Sequence, residues 1–262
     1  MKSIQMKNIF NADYNGVFII AELSANHNGS KQTAIETIKA AKRAGADAIK
    51  LQTYTAESMT LDCSNEDFII NNNSIWDGQT FFELYKKAYT PWEWHKELFQ
   101  VAQDEGLICF SSPFDKTAVD FLENLNNPIY KIASFEITDI PLIDYISKKG
   151  KPIIISTGIA SLEDINLAIK TIRDNNNNNI AVLKCTSSYP APLNEANLVM
   201  IQDFKKRFNV ITGLSDHTDG IIAPVVATAL GARIIEKHFI LNHDIGGPDS
   251  SFSLDEKSLQ TW

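Results

Sequence analysis

"VFIIAELSANHNGSKQTAIETIKAAKRAGADAIKLQTY", residues 17–54, holds one full turn of the pattern that decides the fold. An apolar, β-branched run (17–23) breaks off at a polar loop closed by Gly29. Ser30 follows as a plausible helix N-cap, an amphipathic stretch runs on to a stop at Gly45, and a second strand is expected at 48–54. Near-continuous apolar strands separated by helices belong to a parallel sheet covered on its outer face.

The alternation continues outward from this unit. Further strands are expected at 107–113, 129–134, 152–157, 180–186, 210–216 and 233–239. Helices are expected at 90–106, 116–125, 141–148, 161–174, 197–207 and 220–232. Thr90 would cap the first of these, with Pro91 in its first turn and Glu93 completing a capping box. Eight such units predict a closed α/β (β/α)8 TIM barrel, a single domain over residues 1–262. The alternative, an open doubly wound sheet, lacks a GxGxxG after the first strand. Residues 55–89 are too long for a turn and are expected to form a functional connection, or one holding small helices, on the active-site face. The Asn run 175–179 reads as a solvated tether at the opposite end. Residues 253–262 read as the entry and first turns of an eighth helix, which is therefore expected to be truncated.

Composition narrows the class of function. A formal net charge of −8 argues against a nucleic-acid footprint, so any anion site must concentrate its basic groups locally. Three widely spaced cysteines, none in a CxxC pair, fit a reducing compartment. The opening "MKSIQMKNIFNADYNG" lacks a signal-peptide core, and no segment approaches the ~20 apolar residues of a membrane span. A cytoplasmic enzyme with no membrane partner is the expectation.

In a barrel of this kind, catalytic groups sit at the carboxyl ends of the strands. Those positions hold Glu22; Lys50 and Gln52; Ser111 and Ser112; Lys131, Ser134 and Glu136; Ser156 and Thr157; Lys184, Thr186, Ser187 and Tyr189; Ser215, Asp216 and His217; Glu236 and His238. Buried charge is costly unless it is paired or binds something, so the ring points to function over structural ion pairs. Lysines among hydroxyls suit a phosphate or carboxylate. His217 and His238, from adjacent strands, can converge on a divalent metal, with Asp216, Glu236 and Asp249 orienting them; two packed histidines are the structural alternative. His27 reads as a loop-shaping residue.

Nine stretches, in order, carry a resemblance. They are "IIAELSANHNG", "AGADAIKLQTYTAESMTLD", "FSSPFD", "YKIASFE", "ISTG", "CTSSYPAP", "GLSDHT", "EKHF" and "GGPDSSFSL". Together they resemble the sialic acid synthase family, whose members condense phosphoenolpyruvate with an amino-sugar aldehyde to give a nine-carbon keto acid. "ELSANHNG", "KIASFE" and "TPWEWH" look like the pseudaminate branch, with the neuraminate and legionaminate branches as alternatives. The branch implies 2,4-diacetamido-2,4,6-trideoxy-altropyranose as the sugar.

The resemblance implies roles residue by residue. Lys50, Ser112, Lys131, Ser134, Ser156 and Ser187 would bind phosphoenolpyruvate. Gln52, Tyr189 and Asp249 would face the sugar. Glu22, Glu136 and Glu236 would be the catalytic carboxylates, and His217 and His238 would hold a divalent ion (Mn2+, or Mg2+ or Co2+). The implied chemistry joins carbon 3 of phosphoenolpyruvate to an aldehyde polarised by the ion, adds water at carbon 2, and expels phosphate by C–O cleavage. Family members continue into a small antifreeze-like domain that reaches across a homodimer. Such a domain is absent from residues 1–262, so a binding barrel without turnover is the expectation of another class.

Overall fold

A computed structural model describes residues 9–10, 14–71 and 76–261. Eight parallel strands close in sequence order into one barrel. They are β1 (Phe18–Glu22), β2 (Ala48–Thr53), β3 (Ile108–Pro113), β4 (Tyr130–Ile132), β5 (Ile153–Ser156), β6 (Ile180–Cys185), β7 (Ile211–Asp216) and β8 (Ile234–His238). Closure comes from β8 pairing with β1, where Glu22 lies beside His238 on one side and beside Lys50 of β2 on the other.

Alternation along each strand sorts the side chains. Phe18, Ile20, Ala48, Phe110, Ile154, Leu183 and Ile234 fill the barrel's interior below the carboxyl ends, and Ile9 is buried in the same cluster. The outward set packs against helices α1 (Lys31–Arg43), α4 (Trp92–Asp104), α5 (Lys116–Asn124), α6 (Ile140–Ser147), α7 (Leu162–Asp174), α8 (Met200–Phe208) and α9 (Ile222–Ala229). A short helix α10, Glu256–Gln260, follows the last strand. Ser30 caps α1 by accepting from the Thr33 amide, as expected, and Ser161 and Asp164 form a capping box on α7.

Residues 55–89 contain small helices: α2 (Ala56–Met59), a 3-10 turn (Glu66–Phe68) and α3 (Phe81–Ala88). A Thr80–Glu83 capping box starts α3.

Three local expectations need correction. Helix α4 starts one residue late, at Trp92, with Pro91 at the cap position, so Thr90 caps nothing; its hydroxyl meets His27 Nε2 at 3.3 Å. Strand β4 ends at Ile132, and Ser134 belongs to a 3-10 turn, Ser134–Thr138, that bends across the barrel mouth. The Asn run is only partly a solvated tether. Asn177 is buried, donates to the Lys151 carbonyl at 2.7 Å and accepts from the Asn179 amide. Its amide satisfies backbone groups where β5 and β6 begin, which a water-facing linker would not do.

Candidate active site

The barrel mouth is a cavity of about 350 Å³. Its floor is a ring of charge supplied by the inward positions of successive strands. Glu22 Oε1 accepts from Lys50 Nζ at 2.6 Å and from Gln52 Nε2 at 2.7 Å. Glu236 Oε1 lies 3.6 Å from both Lys50 Nζ and Lys131 Nζ and accepts from the Ser215 hydroxyl at 3.1 Å. Lys131 donates to Ser156 Oγ at 2.7 Å. All these charges are almost wholly out of water, so they act on one another and on any ligand in a medium of low dielectric.

The two lysines differ. Burial works against both ammonium groups, but Glu22 and Glu236 beside Lys50 raise it above the usual lysine range. Around Lys131 burial wins: Glu236 offsets it only in part, Lys50 adds repulsion, and the group falls below its usual range. Lys131 is therefore short of negative charge, which an anionic ligand would supply. Burial alone would raise the Glu22 carboxyl, yet Lys50, His238 and the hydrogen bonds from Lys50 and Gln52 hold it well below the usual carboxylate range.

A small cradle lies beside Lys131. Ser187 Oγ is buried without a hydrogen-bond partner, and Ser134 Oγ accepts from the Gly158 amide at 3.0 Å. A Cβ at Gly158 would sit 2.0 Å from Ser187 Oγ and 2.8 Å from Ser134 Oγ, so only glycine permits this approach. Hydroxyls facing an undersupplied ammonium suit a phosphate or carboxylate.

Across the floor stand the histidines, with ring centroids 5.4 Å apart. His217 Nδ1 is 2.9 Å from the Thr186 carbonyl and donates to it, leaving Nε2 with its lone pair. His238 Nδ1 is buried with no hydrogen-bond partner, 3.6 Å from Asp249 Oδ2; its Nε2 is 3.4 Å from Glu22 Oε2. Asp249 also accepts from the Ala25 amide at 3.2 Å. Tyr189 lies over the His217 ring, centroids 4.3 Å apart. Among the described residues no group of three or more His, Cys, Asp and Glu is gathered as a ready metal cage. The pair nonetheless fits an open site, in which two imidazoles leave positions for water and substrate.

Most of the predicted residues line this one cavity: Glu22, Lys50, Gln52, Lys131, Ser134, Ser156, Ser187, Tyr189, His217, Glu236, His238 and Asp249. Two do not. Ser112 lies against Lys50, accepting from Nζ at 3.4 Å. Glu136 sits in the 3-10 turn with a buried, unpartnered Oε2; burial pushes its carboxyl up to about 7, against the pull of its own backbone amide and of Lys131. Three members of the wider ring face outward. Ser111 bonds Thr53, Lys184 bonds the Cys185 carbonyl, and Asp216 pairs with Lys237 behind the wall. Asp216, expected to orient a histidine, instead turns to Lys237 and accepts from the Thr218 amide at 3.1 Å, while His217 Nδ1 is held by the Thr186 carbonyl. His27 is a loop residue: its Nδ1 accepts from the Gly29 amide at 3.1 Å and its ring meets Trp94 edge-on.

Sequence reasoning missed three contributors. Gly158 lies inside the quoted "ISTG", but no side chain marked it. Cys185 points inward, Sγ 3.8 Å from His217 Nδ1, and strand alternation alone could have placed it there. The 55–89 connection lies on the active-site face as expected, but the apolar residues with which it walls the cavity, including Met59, Ile70, Phe81, Leu84 and Tyr85, were not singled out.

Comparison with known proteins places the chain among relatives. The chain is 52% identical over 246 residues to the pseudaminic acid synthase of Campylobacter jejuni subsp. jejuni, covering 94% of this chain and 71% of that protein. It is 50% identical over 237 residues to the pseudaminic acid synthase of Helicobacter pylori, covering 90% and 69%. Among solved structures, the N-acetylneuraminic acid synthetase of Leptospira borgpetersenii, in complex with citrate, superposes with a TM-score of 0.85 at 33% identity, covering 94% of this chain and 81% of that one. The NeuB family matches residues 37–262, a span that takes in Lys50, Lys131 and Glu236 of the floor, the cradle and both histidines, and begins after Glu22. By its fold, its mouth and this match, the chain belongs to the NeuB family.

Proposed function

We propose that this chain is the barrel of a pseudaminic acid synthase, joining phosphoenolpyruvate to 2,4-diacetamido-2,4,6-trideoxy-altropyranose in its aldehyde form, with release of phosphate. The observation that carries the reading is Lys131, a buried ammonium short of negative charge beside the Ser134–Ser187–Gly158 cradle. Likeness to two pseudaminic acid synthases at 52% and 50% identity supports the choice of sugar.

Lys131, Ser156, Ser134, Ser187 and the Gly158 amide form the phosphoenolpyruvate site, and Lys50 completes its positive charge. Gln52, Tyr189 and Asp249 orient the sugar at the opposite wall. His217 and His238 hold a divalent ion, which when bound supplies Lewis acidity toward the aldehyde oxygen. Positive charge that develops at carbon 2 as carbon 3 forms its bond is stabilised by the fixed carboxylates Glu22 and Glu236. Glu22 stays ionised because Lys50 and Gln52 donate to it, which keeps its negative charge fixed beside that developing centre. Glu136, at about 7, is poised to exchange a proton near neutrality from its place in the turn.

None of the described helices is long and apolar enough to cross a bilayer. We place it in the cytoplasm, as a homodimer. The test is phosphate release with phosphoenolpyruvate, a divalent ion and each candidate sugar in turn. Turnover with the diacetamido trideoxy sugar is expected; turnover with N-acetylmannosamine alone overturns the choice of substrate.

A further inference from the structure

The cavity has two chemistries. Its floor is charged and hydroxylated, while among the described residues the part of its wall drawn from the 55–89 connection carries no charged side chain. Helix α3 explains the difference. Phe81, Leu84, Tyr85 and Ala88 recur at helical spacing and all line the cavity, while Glu83, Lys86 and Lys87 on the other side are exposed. An amphipathic helix ordinarily turns such a stripe into the protein core. Here the stripe faces the substrate space, joined by Met59 and Ile70.

Resting on the function proposed above, we infer that the α3 stripe, with Met59 and Ile70, is the specificity wall for the end of the sugar remote from its aldehyde. The reacting aldehyde must meet the charged floor, so the opposite end of an open-chain sugar is directed at this wall. A methyl group there, such as a deoxygenated carbon 6, leaves water for apolar contact. A hydroxyl there loses its hydrogen bonds to water and finds few polar atoms in return. The wall therefore selects sugars whose far end is deoxygenated and rejects polyhydroxylated ones.

A matched pair of sugars tests this: the 2,4-diacetamido-2,4,6-trideoxy aldehyde and its 6-hydroxy counterpart, each with saturating phosphoenolpyruvate and divalent ion. The wild-type protein is expected to prefer the deoxy sugar in kcat/KM by roughly tenfold or more, the scale of one apolar group in a pocket. Leu84→Gln and Ala88→Ser, each adding a polar atom to the stripe, are expected to cut that preference at least threefold through the sugar KM, leaving the KM for phosphoenolpyruvate within twofold. Retained phosphoenolpyruvate affinity identifies a folded variant, and Ala88→Ser changes volume so little that it guards against misfolding of Leu84→Gln. Equal losses for both sugars, or an unchanged preference in both variants, overturn the wall. Failure of the underlying reading looks different: the wild-type protein then turns over neither diacetamido sugar, or prefers the hydroxylated one, and the inference falls with it.

Discussion

Replacing Glu136 with Gln isolates one buried carboxyl and attaches a sign to it. In the unfolded chain this group titrates near 4.5; in the folded protein burial holds it at about 7. Below pH 4.5 it is protonated in both states and contributes no difference. As pH rises from there, the unfolded state loses its proton first, so unfolding is favoured and stability falls until the native group also ionises. The stability given by the native proton is thus present at low pH and lost on passing through about 7. Linkage makes the loss about 1 kcal/mol at pH 5 and about 3 kcal/mol at pH 8. Gln cannot ionise, so Glu136→Gln escapes this loss. Its stability relative to wild type is expected to rise by about 2 kcal/mol between pH 5 and pH 8. Urea unfolding at each pH, with m-values compared to confirm the same transition, measures the difference. A difference that does not change with pH, or that favours wild type increasingly toward pH 8, refutes the assignment of a raised carboxyl.

Other outcomes follow from the same geometry. Gly158→Ala places a methyl against Ser187 and Ser134; it is expected to weaken phosphoenolpyruvate binding at least tenfold by calorimetry, with divalent-ion affinity unchanged. His217→Ala and His238→Ala should abolish activation by divalent ions while far-ultraviolet dichroism stays native; unchanged metal affinity in both contradicts the ligand assignment. Lys237→Met strands the Asp216 carboxylate in the shell, and a loss of about 3–5 kcal/mol in unfolding free energy is expected, against near-wild-type stability if the pair is dispensable.

How much was legible in advance depends on what each residue's job requires. The strands and most helices were readable because period-2 and period-3.6 patterns are local, and each carries its own boundary signals, such as Ser30 and Gly45. Floor residues such as Lys50 and Lys131 stood out because a charge inside an apolar strand is conspicuous. Facing was harder: Ser111 and Ser112 are neighbours, yet one braces the shell and the other lies against Lys50 inside the barrel. A one-residue step reverses a strand side chain, and strand ends are known only to within a residue or two. Gly158 acts through the atoms it lacks, and an apolar stripe on a short helix does not say whether it faces core or cavity. Thr90 showed the opposite failure, where a correct local signal lost to a tertiary partner, His27.

The buried bridge between Asp216 and Lys237 has a bearing on how the barrel closes. Each partner stands immediately before one of the two histidines, on neighbouring strands. Sliding β7 or β8 by a single residue would push a carboxylate or an ammonium into the mouth and send an imidazole into the helical shell. It would also part the Asp216 carboxylate from the Lys237 ammonium. The bridge thus works as a key for strand register: only the closure that pairs these two charges sets both imidazoles side by side on the mouth's floor.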